Sequence, residues 1–317
     1  MVSGEQTPLL FLVGVAQALL LFLLAPVLSG MTRVLRAKLF HSRQGPPILQ
    51  DYRDLGKLLT RAEVIPAEAG VVFRITPYVL FVAMLLVAMS IPALMIRSPV
   101  AATGDLIAII YLFAMSRFFF ALSGVDSGNM YAGIGAGRET TIAVLNEPAM
   151  VLSLFVVALL AGSTNLGVIS ASIFAGSTPA FAATAMAMVA FAFAIFLEMG
   201  KNPLDLVEAE PELQEGPLTE YSGCSLALIK WGLHLKQTVT AALFLGIFVP
   251  AGAAATLSPL PLARATVVLV LKLVIVFLAI TFFENTMARN RFLSSSRLIF
   301  VAVTAALLAF AFSLAGV

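Results

Sequence analysis

Eight apolar runs, each close to the length needed to cross a bilayer, dominate this sequence. They are Leu9–Leu28, Thr76–Ile96, Asp105–Leu122, Thr141–Ala161, Ala180–Leu197, Val239–Leu257, Ala263–Phe283 and Leu298–Leu314. A helix needs about 20 mostly apolar residues to traverse the hydrocarbon core. Lipid offers no partner to exposed backbone groups, so only helices and closed barrels cross it. Barrel strands alternate apolar and polar residues, and these runs do not. The sequence therefore predicts an all-α integral membrane protein with about eight transmembrane helices, and excludes a soluble enzyme. Its 11% of charged residues compares with about 25% in soluble domains.

Charge placement sets the topology. Eight crossings put both termini on one face. The segment 31–75 carries Arg33, Arg36, Lys38, Arg43, Arg53, Lys57, Arg61 and Arg74, and same-side segments add Arg138, Lys201, Lys230, Lys236, Arg289, Arg291 and Arg297. The opposite connections hold only Arg97 and Arg264. The excess of basic residues marks the cytoplasmic face, which leaves both termini outside. The expected organisation is one polytopic domain over 1–317, in the cell inner membrane, with cytoplasmic loops near 31–75, 125–140, 200–238 and 288–297. Met1–Pro8 has no Lys or Arg, so a cleaved signal peptide is not expected. One cysteine, Cys224, rules out an internal disulfide and a Cys-ligated iron–sulfur cluster, and two histidines leave little for a metal site.

Ionisable groups inside a membrane are costly and so have a partner or a function. The candidates are Arg117, Glu147 (followed by Pro148), Glu198, Lys272 and Glu284. The bland alternative for each is an ion pair that fixes helix packing, or a long side chain reaching the interface. A second cluster lies in Gly200–Ala227, where Asp205, Glu208, Glu210, Glu212, Glu215 and Glu220 face Lys201 alone. Asp205, Glu208 and Glu212 fall at helical spacing, and grouped carboxylates raise one another's proton affinity. Acidic runs are usually solvated surface. Here three prolines break the run and leucines interleave it, which predicts a folded loop packed on something. Gly133-Ile-Gly135-Ala-Gly137 lacks the Lys-Ser/Thr of a phosphate loop and reads as a glycine-rich turn between spans.

Several segments carry a family resemblance. Pro203-Leu-Asp205-Leu-Val-Glu208-Ala-Glu210 and Glu220-Tyr221-Ser222-Gly223 resemble the signature loop of a membrane protein shared by respiratory complex I, where it belongs to the quinone module, and group 4 membrane-bound [NiFe]-hydrogenases. Gly135-x-x-Arg138 followed by Glu147, and Arg43-Gln44-Gly45-Pro46, are similar to that family's inner loops and fourth-span carboxylate. Glu198-Met-Gly-Lys201, Leu213-Gln-Glu215-Gly216-Pro217-Leu218-x-Glu220 and Glu284-Asn285-x-Met287-Ala288-Arg289 resemble its formate hydrogenlyase and hydrogenase-4 branch.

The resemblance implies a membrane anchor and proton-coupling subunit of an oxidoreductase complex, without catalytic residues, metal or redox cofactor of its own. Its expected partners are hydrogenase-type large and small subunits, an iron–sulfur subunit, antiporter-like membrane subunits and the lipid bilayer, with no nucleic acid. The [NiFe] centre and iron–sulfur clusters would belong to those partners, and quinone is possible. The resemblance assigns Glu147, Glu198, Asp205, Glu208, Glu210, Glu212 and Glu220 to an acidic proton path and docking loop, with Lys272 and Glu284 as further members. Arg36, Arg43, Arg138 and Lys201 would be charge partners or docking residues. The rival reading is a quinone-site-forming subunit of an NADH-quinone oxidoreductase-like complex.

Overall fold

A computed structural model describes residues 7–40, 44–100, 103–176, 180–201, 214–286 and 292–316. Helices make the whole frame, and among the described residues no strand forms. Helix α1 (Thr7–Leu35) runs on through a π-helical turn at Arg36–Phe40. Then follow α2 (Gln50–Leu59), α3 (Val71–Ser90), α4 (Leu106–Asp126), α5 (Met130–Ala161), the short α6 (Leu166–Phe174) and α7 (Phe181–Glu198). A 3-10 turn at Gly216–Leu218 precedes α8 (Gly223–Phe248), α9 (Pro259–Thr286) and α10 (Phe292–Ala315). Six of these, α1, α3, α4, α5, α7 and α9, are long and apolar enough to cross a membrane.

The core is apolar and alanine-rich. Leu21, Met84, Ile109, Phe113, Met150, Phe191, Leu235 and Phe277 are buried together. Helix α7 presents Ala183, Ala187, Ala190 and Ala194, and α10 presents Ala302, Ala306 and Ala309. Among the described residues these two helices make the most extensive helix–helix contact. Small residues at three- and four-residue spacing let helix backbones approach closely, which is how helices hold together where lipid removes the hydrophobic drive. Leu12, Tyr111, Phe118, Val144, Leu260 and Val267 point outward, as expected of a surface that meets acyl chains.

Where the backbone leaves a helix, side chains take over its hydrogen bonds. Gln17 of α1 donates to the carbonyls of Ala88 and Ile91 at 2.7 and 2.9 Å, and accepts from the Leu94 N–H at 2.9 Å. Asp126 at the end of α4 accepts from the Phe73 N–H in the first turn of α3 at 2.8 Å, where a carboxylate also meets the positive end of the helix dipole. Helix α2 lies against α1 and α8, tied by Arg33 to the buried Asp51 at 2.7 Å. The chain can return this tightly because Gly30 has no Cβ, which would collide with the Ile48 carbonyl.

Two helices, α5 and α8, begin more than ten residues before the hydropathy pattern predicts. The glycines at 133–137 are not a turn: they lie inside α5, and the connection from α4 shrinks to Ser127-Gly128-Asn129. A Cβ on Gly135 would stand 2.8 Å from Pro217 Cδ and 2.9 Å from Gly216 Cα, so this glycine seats the 216–218 turn on α5. Residues 223–238, read as part of a loop, form the first half of α8. That half is polar because it packs against charged groups of the bundle, described next.

Candidate functional site: a buried ionic cluster

Helix α4 places Arg117 in the interior, 5% exposed. Its Nη1 donates to Glu198 Oε2 at 3.0 Å, and its Nη2 lies 3.6 Å from Glu147 Oε2. Lys236 of α8 approaches the other oxygen of Glu198, Nζ to Oε1 at 2.8 Å. Glu198, the last residue of α7, is thus held between two cations from two different helices. Asn146 of α5 donates to the Ala194 carbonyl at 3.0 Å. Gln237 donates to the Met199 carbonyl at 3.0 Å, fixing the backbone just past the carboxylate. A buried charge is tolerated when paired and hydrogen-bonded, and Glu198 meets both conditions.

Glu147 lies beside this pair and is less enclosed, its side chain 38% exposed. Pro148 follows it within an unbroken α5. A third carboxylate, Glu139, sits two turns earlier on the same helix, within electrostatic reach of Lys236, Glu198 and Arg117. The cluster therefore brings Glu147 and Glu198 together with Arg117 and Lys236, from α4, α5, α7 and α8. Such a set can hold a proton that no single carboxylate owns.

The other assigned residues fall elsewhere. Glu284, buried at the end of α9, pairs with Arg36 beyond the end of α1 at 2.8 Å. Glu220 accepts from Asn129 Nδ2 at 2.5 Å, and Asn129 itself caps α5 by accepting from the Tyr131 and Ala132 N–H groups. Lys272 donates to the carbonyls of Val249, at 2.6 Å, and Ala251. It satisfies carbonyls beyond the C-terminal end of α8, where a cation complements the helix dipole. Arg138 precedes Glu139 on α5, and Lys201 follows α7 within electrostatic reach of His234; both are half-buried. Asp205, Glu208, Glu210, Glu212 and Arg43 lie outside the described residues.

Away from these charges, Tyr221 ties the segment that leads into α8 to the start of α3. Its ring stacks on Phe73 with centroids 3.9 Å apart, and its hydroxyl donates to the Phe73 carbonyl at 2.8 Å. Burial pushes its phenol up to about 12.

Sequence reasoning flagged Arg117, Glu147 and Glu198 but missed Lys236, Asn146 and Glu139 as their companions. The buried positions Ile229, Gly232, Leu235 and Val239 continue a helical period through 223–238, a signal that places Lys236 inside the bundle.

A multi-pass helical membrane protein with a charged cluster buried among its helices is the class that this fold and site define. The chain belongs to the NADH dehydrogenase family, which it matches over residues 12–315. It is 49% identical to hydrogenase-4 component C of Escherichia coli (strain K12) over 307 residues, 97% of each chain. It is 48% identical to formate hydrogenlyase subunit 4 of the same organism over 294 residues, 93% of this chain and 95% of that one. Among solved structures it shares its fold with a chain of the membrane-bound sulfane sulfur reductase, an archaeal respiratory membrane complex, with a TM-score of 0.81, 23% identity, and coverage of 95% of this chain and 99% of that one.

Proposed function

We propose that this chain is the membrane anchor and proton-coupling subunit of a complex I-like membrane-bound hydrogenase of the formate hydrogenlyase or hydrogenase-4 type. It links a cytoplasmic hydrogenase-type module to antiporter-like subunits in the inner membrane. The [NiFe] centre and iron–sulfur clusters reside in those partners, and this chain adds no redox group. The relatives at 49% and 48% identity support the type of complex. The coupling role rests on one observation, the Arg117–Glu198–Lys236 pairing with Glu147 beside it inside the bundle. Glu147 and Glu198 form the inner end of the path. Asp205, Glu208, Glu210, Glu212 and Glu220 form its entrance and docking loop, with Arg36, Arg43, Arg138 and Lys201 as docking or charge partners. Glu284 and Lys272 extend the charged row.

In this reading α8 and α10 join the six apolar helices as spans, both termini face outward, and the charged segments meet the cytoplasm. Helix α8 has 26 residues, about 39 Å at helical rise, enough to cross. The decisive experiment measures ion translocation per turnover in sealed vesicles bearing the whole complex. Glu147→Gln should keep the complex in the membrane and lose translocation. Normal coupling at normal abundance in this variant rejects the role.

A further inference from the structure

We propose that Lys272 marks a docking site for a neighbouring membrane subunit. It forms an ion pair, at mid-bilayer depth, with an Asp or Glu on a transmembrane helix of that subunit laid along the exposed flank of α9. This inference rests on the reading above that the chain works within a membrane complex, and it names where and by what chemistry a membrane partner joins.

Depth comes first. The apolar stretch of α9 runs from Ala263 to Phe283. Lys272 stands nine residues from one end and eleven from the other, about 14 and 16 Å along the helix. The hydrocarbon core is about 30 Å thick, so Lys272 sits at its middle. A lysine near a helix end can bend to the interface. From the middle, its four-carbon stem reaches neither headgroup layer. Lipid phosphates and soluble anions are thereby ruled out as its counter-charge.

Charge comes second. The other cations described at this bundle's helices meet carboxylates of the same chain: Arg117 and Lys236 meet Glu198, and Arg36 meets Glu284. Among the described residues no ion pair holds Lys272. Two of the three donors of its ammonium go to the carbonyls of Val249, at 2.6 Å, and Ala251. Those carbonyls orient the ammonium but carry no net charge to neutralise it, and one donor is left over. Charged groups at this depth pair with one another across the protein interior, which leaves a carboxylate on another membrane-spanning helix as the group that completes the site.

Access comes third. Lys272 is half-buried on the flank of α9. Ile275, three residues on and on the same side of the helix, is 56% exposed, and Leu271 is 58% exposed. A small hollow lined by Val249, Pro250, Gly252 and Val268 opens at Lys272, which gives a carboxylate a way in. The apolar flank by itself suits acyl chains as well as protein. The cation within it is what selects a helix that bears an acid.

The test uses the whole complex, solubilised and purified through a tag on this chain. Lys272→Met should leave the chain at ordinary abundance in the membrane and weaken retention of the neighbouring membrane subunits by more than about tenfold. Lys272→Arg, which keeps the charge, should recover part of it. A benzophenone amino acid placed at Ile275 should cross-link to a membrane subunit other than this chain, at a peptide with Asp or Glu within one helical turn, and the cross-link should vanish when combined with Lys272→Met. Full retention in Lys272→Met overturns the proposal, as does cross-linking only to lipid or to a second copy of this chain. Should Lys272→Met be too scarce to purify, the cross-link in the otherwise unaltered complex decides. Lost translocation in Glu147→Gln with cross-linking to lipid alone ends the docking proposal and leaves the coupling role. A cross-link to an acidic membrane helix with normal coupling in Glu147→Gln does the reverse.

Discussion

Arg36 and Glu284 stand 248 positions apart in sequence and meet at 2.8 Å, joining the end of the first long helix to the end of α9. Among the described residues helix α9 has few other neighbours, touching α1, α8 and the π-helical turn substantially. This pair is therefore a main tether of an otherwise lipid-facing helix.

Removing one partner leaves Glu284 buried and unpaired. The Arg36 side chain is 40% exposed, so solvent screens part of the interaction, and Arg36→Ala should cost about 1–3 kcal/mol. Thermal unfolding of the purified complex followed by size-exclusion chromatography reads this. Glu284→Gln should be milder, and Arg36→Ala combined with Glu284→Gln should recover stability relative to Arg36→Ala alone. No recovery in the double variant would show that the pair is incidental.

Arg117→Ala strands Glu198 beside a single cation in the interior. Deleting one partner of a buried ion pair costs about 3–5 kcal/mol, so the variant subunit should be scarce in membranes. Arg117→Lys should restore abundance in part, since an ammonium keeps the charge but not the two-pronged reach to Glu198 and Glu147. Immunodetection in membranes gives the comparison, and equal abundance of Arg117→Ala and wild type would contradict the paired-charge account.

Gly135→Ala tests the close approach of α5 to the 216–218 turn. The added methyl would sit 2.8 Å from Pro217 Cδ, and overpacking of this kind costs about 1–3 kcal/mol. Because the turn is followed at once by Glu220 and Tyr221, we expect faster proteolysis near Gln214 and weaker retention of soluble partner subunits. Gly137→Ala, where a Cβ meets nothing within 4 Å, is the matched control and should behave as wild type.

Tyr221 makes stability depend on alkaline pH. Its phenol is raised from 10.0 to about 12 by burial, so the folded state holds a proton that the unfolded state releases. The stabilisation is complete below about 10 and is lost as pH rises through about 12. In Tyr221→Phe the fall in stability across that window should be shallower by about one proton. Chemical unfolding at a series of alkaline pH values reads the slope, and identical slopes would sink this assignment.

The all-helical architecture was legible because hydropathy reports lipid contact directly, and six of the predicted spans meet helices apolar enough to cross. The start of α8 was hidden for a physical reason. Lys230, His234 and Lys236 lower the local hydropathy, but Lys236 is in the bundle because Glu198 neutralises it. Pair formation between distant helices is invisible to a scan along the chain. The same limit concealed the glycines of α5, whose turn-like composition serves contact with Gly216 and Pro217. Arg117 and Glu198 were visible as isolated charges within or at the edge of apolar runs, whereas their mutual contact across 81 positions was not.

The amide of Gln17 has a mechanical consequence. It bonds three backbone groups, at Ala88, Ile91 and Leu94, while sitting wholly inside the bundle. Sliding α1 along α3 by even one residue would break all three bonds at once, in surroundings with no solvent to replace them. The two helices are therefore clamped in a single register at that end. Any movement of α1 relative to α3 is left to the other end, where α1 passes into its π-helical turn.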